Sequence, residues 1–194
     1  MNVIQFTTDF FDSNNYLFEK NGVKFMVDCG GTTQYTANVL KQYNFIPDIV
    51  LLTHGHIDHI LALSALKELG AKVFIHSNDA CYLTDSSYNL SPYLIGQNFV
   101  CDCNTIDEQV LKEYGIDVLH TPGHSPGSVC YLIDDILFSG DTLFCGGIGN
   151  TSFPGGDHKT EITSVKRLLL LDKAITVYPG HGPKTTIAAE QNIL

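Results

Sequence analysis

The chain has 194 residues, 44% of them hydrophobic, and a formal net charge of -10. This length and apolar content suit one domain over residues 1–194 with a substantial core. The negative charge disfavours binding to nucleic-acid phosphates. No stretch reaches the roughly 20 apolar residues of a membrane span, and the N-terminus has no signal-peptide pattern. We therefore expect a cytoplasmic protein without nucleic-acid or membrane partners.

The cysteines are even in number, but they are scattered and include no CxxC pair. A chain of this size does not need disulfide bonds to be stable, so we expect reduced, structural thiols. The six are Cys29, Cys81, Cys101, Cys103, Cys130 and Cys145.

The first half of the chain alternates short apolar runs with turns. The runs NVIQF, NYLFEK and KFMVDCGG predict consecutive antiparallel strands, with a turn at KNG between the second and third. A helix is predicted at TQYTANVLKQY, a buried strand at DIVLLT, a helix at HILALSALKELG that ends at Gly70, and a strand at AKVFIH. Residues 77–108 are rich in Ser, Asn and Tyr, which predicts irregular structure over or beside a site.

The second half of the chain again combines short predicted strands, turns and a helix. Strands are predicted at IDVLHT, GSVCYLID and DILFSGD, followed by a helix at EITSVKRLLLL and a strand at AITVYPG. Two strand-rich halves that each carry helices indicate two sheets packed face to face with helices outside.

A dense group of polar side chains follows the buried strand DIVLLT. The stretch LLTHGHIDHI contains His54, His56, Asp58 and His59. Imidazole nitrogens and carboxylate oxygens suit zinc, iron or manganese, and histidines two residues apart can reach one ion from a loop but not from one face of a helix. The alternative is a solvated turn in which Asp58 caps the following helix. We favour a metal site here, with a second ion plausible.

Three further candidates lie in turns after predicted strands. His124 is in TPGHSPGS, Asp141 in FSGDTLF and His181 in YPGHGPKT. Functional groups on loops at strand ends are the usual placement for an active site. A glycine stands beside each candidate, which would let the backbone bend and approach a metal, although ordinary turns would explain the same residues. These glycines are Gly123, Gly140 and Gly180.

The motifs THGHIDH, TPGHSPGS, SGDTLF and YPGHGP, in this order, resemble the metallo-β-lactamase superfamily and specifically its short, single-domain glyoxalase II-like (hydroxyacylglutathione) hydrolases. The resemblance implies an α/β (α+β) fold, the αββα sandwich of two mixed sheets. It implies one metal held by His54, His56 and His124, and another held by Asp58, His59 and His181, with Asp141 bridging the two. The other three histidines, His76, His120 and His158, are not expected to be ligands, although His158 could border the substrate.

The resemblance also implies a reaction, hydrolysis of a thioester such as S-lactoylglutathione by a hydroxide that bridges two divalent ions, with zinc first and iron or manganese as alternatives. Such a pair lowers the pKa of water from about 15.7 toward about 7, a larger effect than the roughly 10²- to 10⁴-fold of a side-chain base. A thiolate leaves without a proton donor, whereas an amine needs one. We assign catalytic roles to Asp58 and Asp141.

Two departures from the family bear on the substrate. The sequence ends soon after His181, without the C-terminal helical domain that helps two-domain glyoxalase II enzymes to bind glutathione. Asn150 and Ser152 stand where the short type is expected to carry Arg and Asp. The cations left to contact a substrate carboxylate are Lys159, Lys166 and Arg167.

The sequence leaves four alternative functions. A mononuclear iron persulfide dioxygenase would need only His54, His56 and either Asp141 or His124, so the complete second set disfavours it. A β-lactamase is disfavoured because such enzymes generally lack the bridging Asp and are exported. A ribonuclease is disfavoured by acidity and by the missing tRNA-binding insert. A non-catalytic, metal-stabilised binding module would keep the histidines and lose turnover.

Overall fold

The structure is a computed structural model that describes residues 1–102 and 105–194, and its first sheet has five strands. They are β1 (Val3–Thr7), β2 (Asn14–Lys20), β3 (Val23–Val27), β4 (Ile49–Leu51) and β5 (Lys72–Phe74), in that order across the sheet. The first three are antiparallel, as predicted, and β3, β4 and β5 are parallel. Asn21 and Gly22 join β2 to β3 with φ values of 54° and 77°, as a tight hairpin turn requires.

The second sheet also has five strands, in the order β12-β11-β8-β7-β6. They are β6 (Asp117–His120), β7 (Val129–Ile133), β8 (Ile136–Gly140), β11 (Thr176–Pro179) and β12 (Thr185–Thr186). Strands β8 and β11 are parallel, and the other neighbours are antiparallel. A separate hairpin pairs β9 (Leu143–Phe144) with β10 (Gly147–Ile148). The sequence did not predict β9, β10 or β12, because two-residue strands are too short to show an alternating pattern.

The helices are α1 (Thr33–Gln42), α2 (Ile57–Ile60), α3 (Leu63–Glu68), α4 (Ser91–Leu94), α5 (Glu108–Glu113) and α6 (His158–Leu168). A 3-10 helix spans Ser77–Leu83. Residues 77–108 thus contain short helical pieces within the irregular segment that was predicted. No helix in the described parts of the chain is long and apolar enough to cross a membrane.

The two sheets pack face to face. Alternate residues of each strand point to opposite sides, so one strand contributes side chains to two cores. Phe18 of β2 stacks on Phe138 of β8, with ring centroids 5.5 Å apart, in the core between the sheets. The intervening Leu17 faces the other way and packs in the core formed with α1, α2 and α3. Val165 of α6 packs in a third core, outside the second sheet. The layers are therefore α, β, β, α, which confirms the predicted sandwich.

The helix predicted at HILALSALKELG is divided into α2 and α3 because its backbone bonds to other segments. The N–H of Cys29 donates to the His59 carbonyl, and the N–H of Ala62 donates to the Cys29 carbonyl. The Ser13 hydroxyl donates to the Asp58 carbonyl, which Ala62 would use in a continuous helix. Helix α2 begins one residue before Asp58, so Asp58 is not the helix cap.

Four of the six cysteines lie in the structure as follows. Cys29, Cys81, Cys130 and Cys145 are free thiols, and the first and third of these are buried. Burial raises the pKa of Cys130 to about 12, so this thiol stays protonated. Cys101 is also buried, and Cys103 lies outside the described residues.

Candidate metal centre

The side chains predicted to bind metal come together at one edge of the two sheets, on loops that follow strands. The loop after β4 carries two of them and the following helix α2 carries two more, while the segments after β6, β8 and β11 carry one each. Parallel strands end at the same edge of a sheet, so β8 and β11 deliver their loops side by side. The seven are His54, His56, Asp58, His59, His124, Asp141 and His181.

Three buried imidazoles form the first group. His124 Nε2 lies 2.9 Å from His56 Nδ1 and 3.2 Å from His54 Nε2. Burial, with help from the neighbouring imidazoles, lowers the pKa of both His54 and His56 well below the usual range. His54 and His56 are therefore neutral, which is the state in which an imidazole nitrogen binds a metal.

A carboxylate and two histidines form the second group. Asp58 Oδ2 lies 3.2 Å from His181 Nε2 and 3.5 Å from His59 Nε2. Burial alone would raise the pKa of Asp58, but the adjacent His59 and His181 outweigh it and hold the pKa below its usual range. Asp58 is therefore an anion beside two imidazoles.

Asp141 lies between the two groups. Its Oδ1 is 3.4 Å from His59 Nε2, and its Oδ2 is 3.6 Å from both His124 Nε2 and His181 Nε2. Both His59 Nε2 and Asp141 Oδ1 are buried without a hydrogen-bond partner among the described residues. Buried polar atoms are rarely left unpaired, and a cation between them would satisfy both. The residues present therefore fit divalent metal ions.

A buried carboxylate that the sequence did not predict orients histidines of both groups. Asp28 Oδ2 accepts from His59 Nδ1 at 2.9 Å. Asp28 also accepts from the Thr53 hydroxyl at 2.8 Å, and that hydroxyl lies 3.1 Å from His54 Nδ1. These bonds place the imidazole protons on Nδ1 and leave each Nε2 to face the centre. Burial alone would lower the pKa of His59, but Asp141, Asp58 and Asp28 raise it to about 10.

Asp79, another carboxylate missed from the sequence, joins two of the loops. It accepts from the Gly55 N–H at 3.1 Å, the Ser125 hydroxyl at 2.6 Å and the Gly127 N–H at 2.5 Å. Burial raises the pKa of Asp79 although these bonds oppose the shift. One side chain thus ties the loop that holds His54 to the loop that holds His124.

Glu161 of α6 fixes the remaining histidine of the first group. It accepts from the His124 backbone N–H at 2.8 Å, and burial raises its pKa to about 8. The His124 Nδ1 lies 2.7 Å from the Asn150 carbonyl, so its Nε2 faces the other imidazoles. The only sequence signal for Glu161 was its place on an amphipathic helix, where a carboxylate usually faces water.

Glycines allow these groups to approach closely. A Cβ at Gly180 would collide with Asp141 Oδ1, and a Cβ at Gly123, which has φ +148°, would collide with the backbone of Glu161. The backbone at Gly180 therefore approaches Asp141, a candidate ligand, and the backbone at Gly123 approaches Glu161, which holds His124.

The other three histidines lie apart from these groups. The rings of His76 and His120 stack with centroids 4.1 Å apart, and His120 Nε2 is 3.0 Å from the Pro126 carbonyl. His158 is exposed at the first residue of α6. None of the three belongs to a potential metal-binding group in residues 1–102 and 105–194.

A cavity of about 280 Å³ opens onto the centre. Five of the candidate ligands line it, together with Phe11, Leu90, Leu94, Phe144, Asn150 and Phe153. No Lys or Arg of the described residues is part of the lining, and neither is His158. Lys159, Lys166 and Arg167 therefore do not replace the expected arginine. Arg167 instead donates to the His120 carbonyl.

Comparison with known proteins agrees with this geometry. The family model of the metallo-beta-lactamase superfamily matches residues 8–181. The chain belongs to the metallo-β-lactamase superfamily. Among curated members of the superfamily, the hydroxyacylglutathione hydrolase GloC of Haemophilus influenzae is 32% identical over 188 residues, which cover 89% of this chain and 85% of that protein.

Two solved structures of the superfamily superpose over nearly the whole chain. BLEG-1, a B3 metallo-beta-lactamase, has a TM-score of 0.88 and 32% identity, covering 98% of this chain and 97% of that one. TTHA1623 in a di-iron-bound form has a TM-score of 0.87 and 32% identity, covering 98% of both chains.

Proposed function

We propose that this protein is a metal-dependent hydrolase that cleaves an acyl thioester, with S-lactoylglutathione or a related hydroxyacyl thiol as its substrate. The observation that carries the proposal is the pairing of two donor groups through Asp141, which lies within 3.6 Å of histidines from both. The name of the relative GloC supports hydroxyacylglutathione as the substrate type.

In this proposal one divalent ion would be held by His54, His56 and His124 and the other by Asp58, His59 and His181, with Asp141 shared between them. When bound, such a pair acidifies a water molecule and polarises a carbonyl oxygen. Imidazole and carboxylate donors suit zinc as well as iron or manganese, and the relative TTHA1623 was solved with two irons. We propose two ions, zinc in the first place.

Asp58 and Asp141 are the two carboxylates of the cavity lining in the described part of the chain. The lowered pKa of Asp58, set by His59 and His181 against the effect of burial, keeps this group ionised and able to accept a hydrogen bond. We assign to Asp58 and Asp141 the task of orienting the attacking water toward the substrate carbonyl.

The composition of the cavity lining also favours one type of bond for cleavage, the C–S bond of a thioester. Water adds to the carbonyl carbon, the C–S bond breaks, and the products are a carboxylic acid and a thiol. A thiolate of pKa about 8.5 leaves without a proton donor. The lining has no lysine or arginine in the described residues to protonate a leaving amine. This chemistry favours a thioester over an amide.

β-Lactam hydrolysis is the second candidate, favoured by the likeness to BLEG-1 at 32% identity over nearly the whole chain. It would break a C–N bond at the same centre and would need a proton for the amine. The two candidates are separated by measuring, on one preparation, the hydrolysis of a chromogenic cephalosporin and the release of thiol from S-lactoylglutathione.

The proposal is tested by chelation and reconstitution. Thiol release from acyl thioesters should vanish when the metals are chelated and return when zinc is added. His120→Ala is a matched control, since this imidazole lies outside the centre and its variant should respond to both treatments as the unmodified protein does. A metal-loaded protein that stays folded and releases no thiol from a panel of acyl thiols would favour the non-catalytic module.

A further inference from the structure

We infer that the cavity takes a thioester whose thiol carrier is uncharged and apolar near the sulfur, in preference to an anionic carrier such as glutathione. The inference rests on the proposed thioester chemistry, and among the substrates proposed above it ranks hydroxyacyl thioesters of a neutral thiol ahead of S-lactoylglutathione.

The first observation is the chemistry of the lining beyond the candidate metal ligands. Five of its six side chains are apolar: Phe11, Leu90, Leu94, Phe144 and Phe153. The Phe153 ring lies nearly perpendicular to that of His56, with centroids 5.4 Å apart. The Phe144 ring lies 6.1 Å from that of His181. Aromatic surface therefore borders both donor groups where a substrate must enter.

The second observation concerns Asn150, the one polar side chain among those six. Its backbone carbonyl is 2.7 Å from His124 Nδ1, and its side-chain Oδ1 accepts from the Ser152 N–H at 3.0 Å. The residue is thus used to hold the local turn and His124. It provides no charge for a substrate group.

The third observation is electrostatic. The chain carries a net charge of -10, and no lysine or arginine of the described residues lines the cavity. Two of the lysines have partners elsewhere: Lys20 pairs with Asp134 at 3.0 Å, and Lys112 pairs with Glu108 at 3.1 Å. A carrier carboxylate that lies along the apolar part of the lining, away from the candidate metal ligands, loses its hydration without gaining a side-chain cation as a partner.

For an apolar carrier, entering the cavity is favourable and not costly. It would cover aromatic surface that is otherwise in contact with water, since Phe11 is 53% and Phe153 is 36% exposed. Removing such surface from water is favourable in proportion to the apolar area covered. The cavity thus favours a neutral carrier for two independent reasons.

The test measures binding, so that its outcome does not depend on turnover. Calorimetry on the metal-loaded protein compares S-hexyl-N-acetylcysteamine with S-hexylglutathione, two thioethers that share the alkyl group and differ in the charge and the size of the carrier. We expect the neutral thioether to bind at least about tenfold more tightly, because the carboxylates of the glutathione compound lose hydration without a side-chain cation beside them. Equal or tighter binding of the glutathione compound, or binding of neither, would overturn the inference.

A charge introduced at Asn150 provides a second test. Asn150→Arg keeps the carbonyl that contacts His124 and should shift the affinity ratio toward S-hexylglutathione by about fivefold, the size of one ion pair in water. The shift should shrink at high salt. Asn150→Gln, of similar size and neutral, should leave the ratio where it is. An unchanged ratio in Asn150→Arg would count against the inference.

These measurements are separate from the test of the proposed function. Hydrolysis of lactoyl-N-acetylcysteamine reports thioester cleavage directly. If the neutral thioether binds preferentially but this thioester is not cleaved, the proposed hydrolysis is wrong and the ligand preference stands. If both lactoyl thioesters are cleaved but the glutathione thioether binds more tightly, the hydrolysis stands and the inference is wrong.

Discussion

Asp28 Oδ2 lies 2.9 Å from His59 Nδ1, and neither residue is more than 1% exposed. The same carboxylate accepts from the backbone N–H and the hydroxyl of Thr53, and the hydroxyl contacts His54. One buried carboxylate therefore orients a histidine from each donor group. Partners of this kind, behind the metal ligands, set the direction and basicity of the imidazoles.

Asp28→Asn should weaken metal binding by about 10- to 100-fold while the protein stays folded, because the amide keeps the shape of the side chain but lacks its charge. Competition titration with a chromogenic chelator measures the affinity. The matched control is Asp134→Asn. Asp28 and Asp134 share φ 55°, but the Asp134 side chain is 61% exposed and pairs with Lys20. Unchanged metal affinity in Asp28→Asn would show that this contact does not support the centre.

Asp141→Ala should lower metal occupancy at both sites, because its two oxygens face histidines of both groups within 3.6 Å. Thioester turnover should fall at least about 10²-fold, since positioning and charge at a reacting centre contribute on that scale. Elemental analysis of the purified variant gives the occupancy. Two undiminished equivalents of metal would rule out the bridging role.

His181→Ala should remove about one equivalent of metal and affect folding little, because this side chain is 30% exposed and the carboxylates beside it are Asp58 and Asp141. His120→Ala serves as the control. The His120 ring stacks on His76 away from the centre, so the metal content of the His120→Ala protein should stay unchanged. Loss of the first-site metal alone in His181→Ala, or loss of one equivalent in His120→Ala, would reverse our assignment of the histidines.

The sequence predicted the candidate ligands but not the residues behind them, and the reason is the range of the contacts. His54, His56, Asp58 and His59 lie within six positions, so their density is visible in the sequence. Asp28 and His59 are 31 residues apart, and Asp79 and Gly127 are 48 apart. Only the fold brings these pairs together, and an isolated Asp after a strand looks like an ordinary turn residue.

For the fold too, the features set by local sequence patterns were predictable and those set by long-range contacts were not. Alternating apolar runs indicated the long strands and the two-sheet sandwich, since their pattern is local. The division of the helix after His56 into two pieces was not predictable. It depends on hydrogen bonds between the helix backbone and two residues far away in the sequence, Ser13 before β2 and Cys29 after β3. The absence of lysine and arginine from the described cavity lining likewise required the structure.

The metal-free protein should become less stable as the pH rises from about 6.5 to about 9. Although burial opposes it, the charges of Asp141, Asp58 and Asp28 raise the pKa of His59 from 6.5 to about 10. Its protonated form therefore contributes stability that is complete below pH 6.5 and is lost as the pH rises toward 10. Burial raises the pKa of Glu161 from 4.5 to about 8, which also reduces stability as the pH rises over that range.

Thermal unfolding of the chelated protein measures this trend, and we expect the midpoint to fall by at least a few degrees. Metal affinity should change in the opposite direction, because His59 must lose its proton to act as a ligand. Glu161→Gln should keep the part of the decline that His59 causes. A midpoint that rises between pH 6.5 and pH 9 in the metal-free protein would contradict the assigned charge states.

The most direct test of the central claim is anaerobic purification followed by metal analysis and a comparison of thioester and persulfide turnover on the same sample. The account predicts two equivalents of metal, release of thiol from an acyl thioester that chelation abolishes, and no consumption of oxygen with a persulfide. One equivalent of iron with persulfide-dependent oxygen consumption and no thioester cleavage would contradict it.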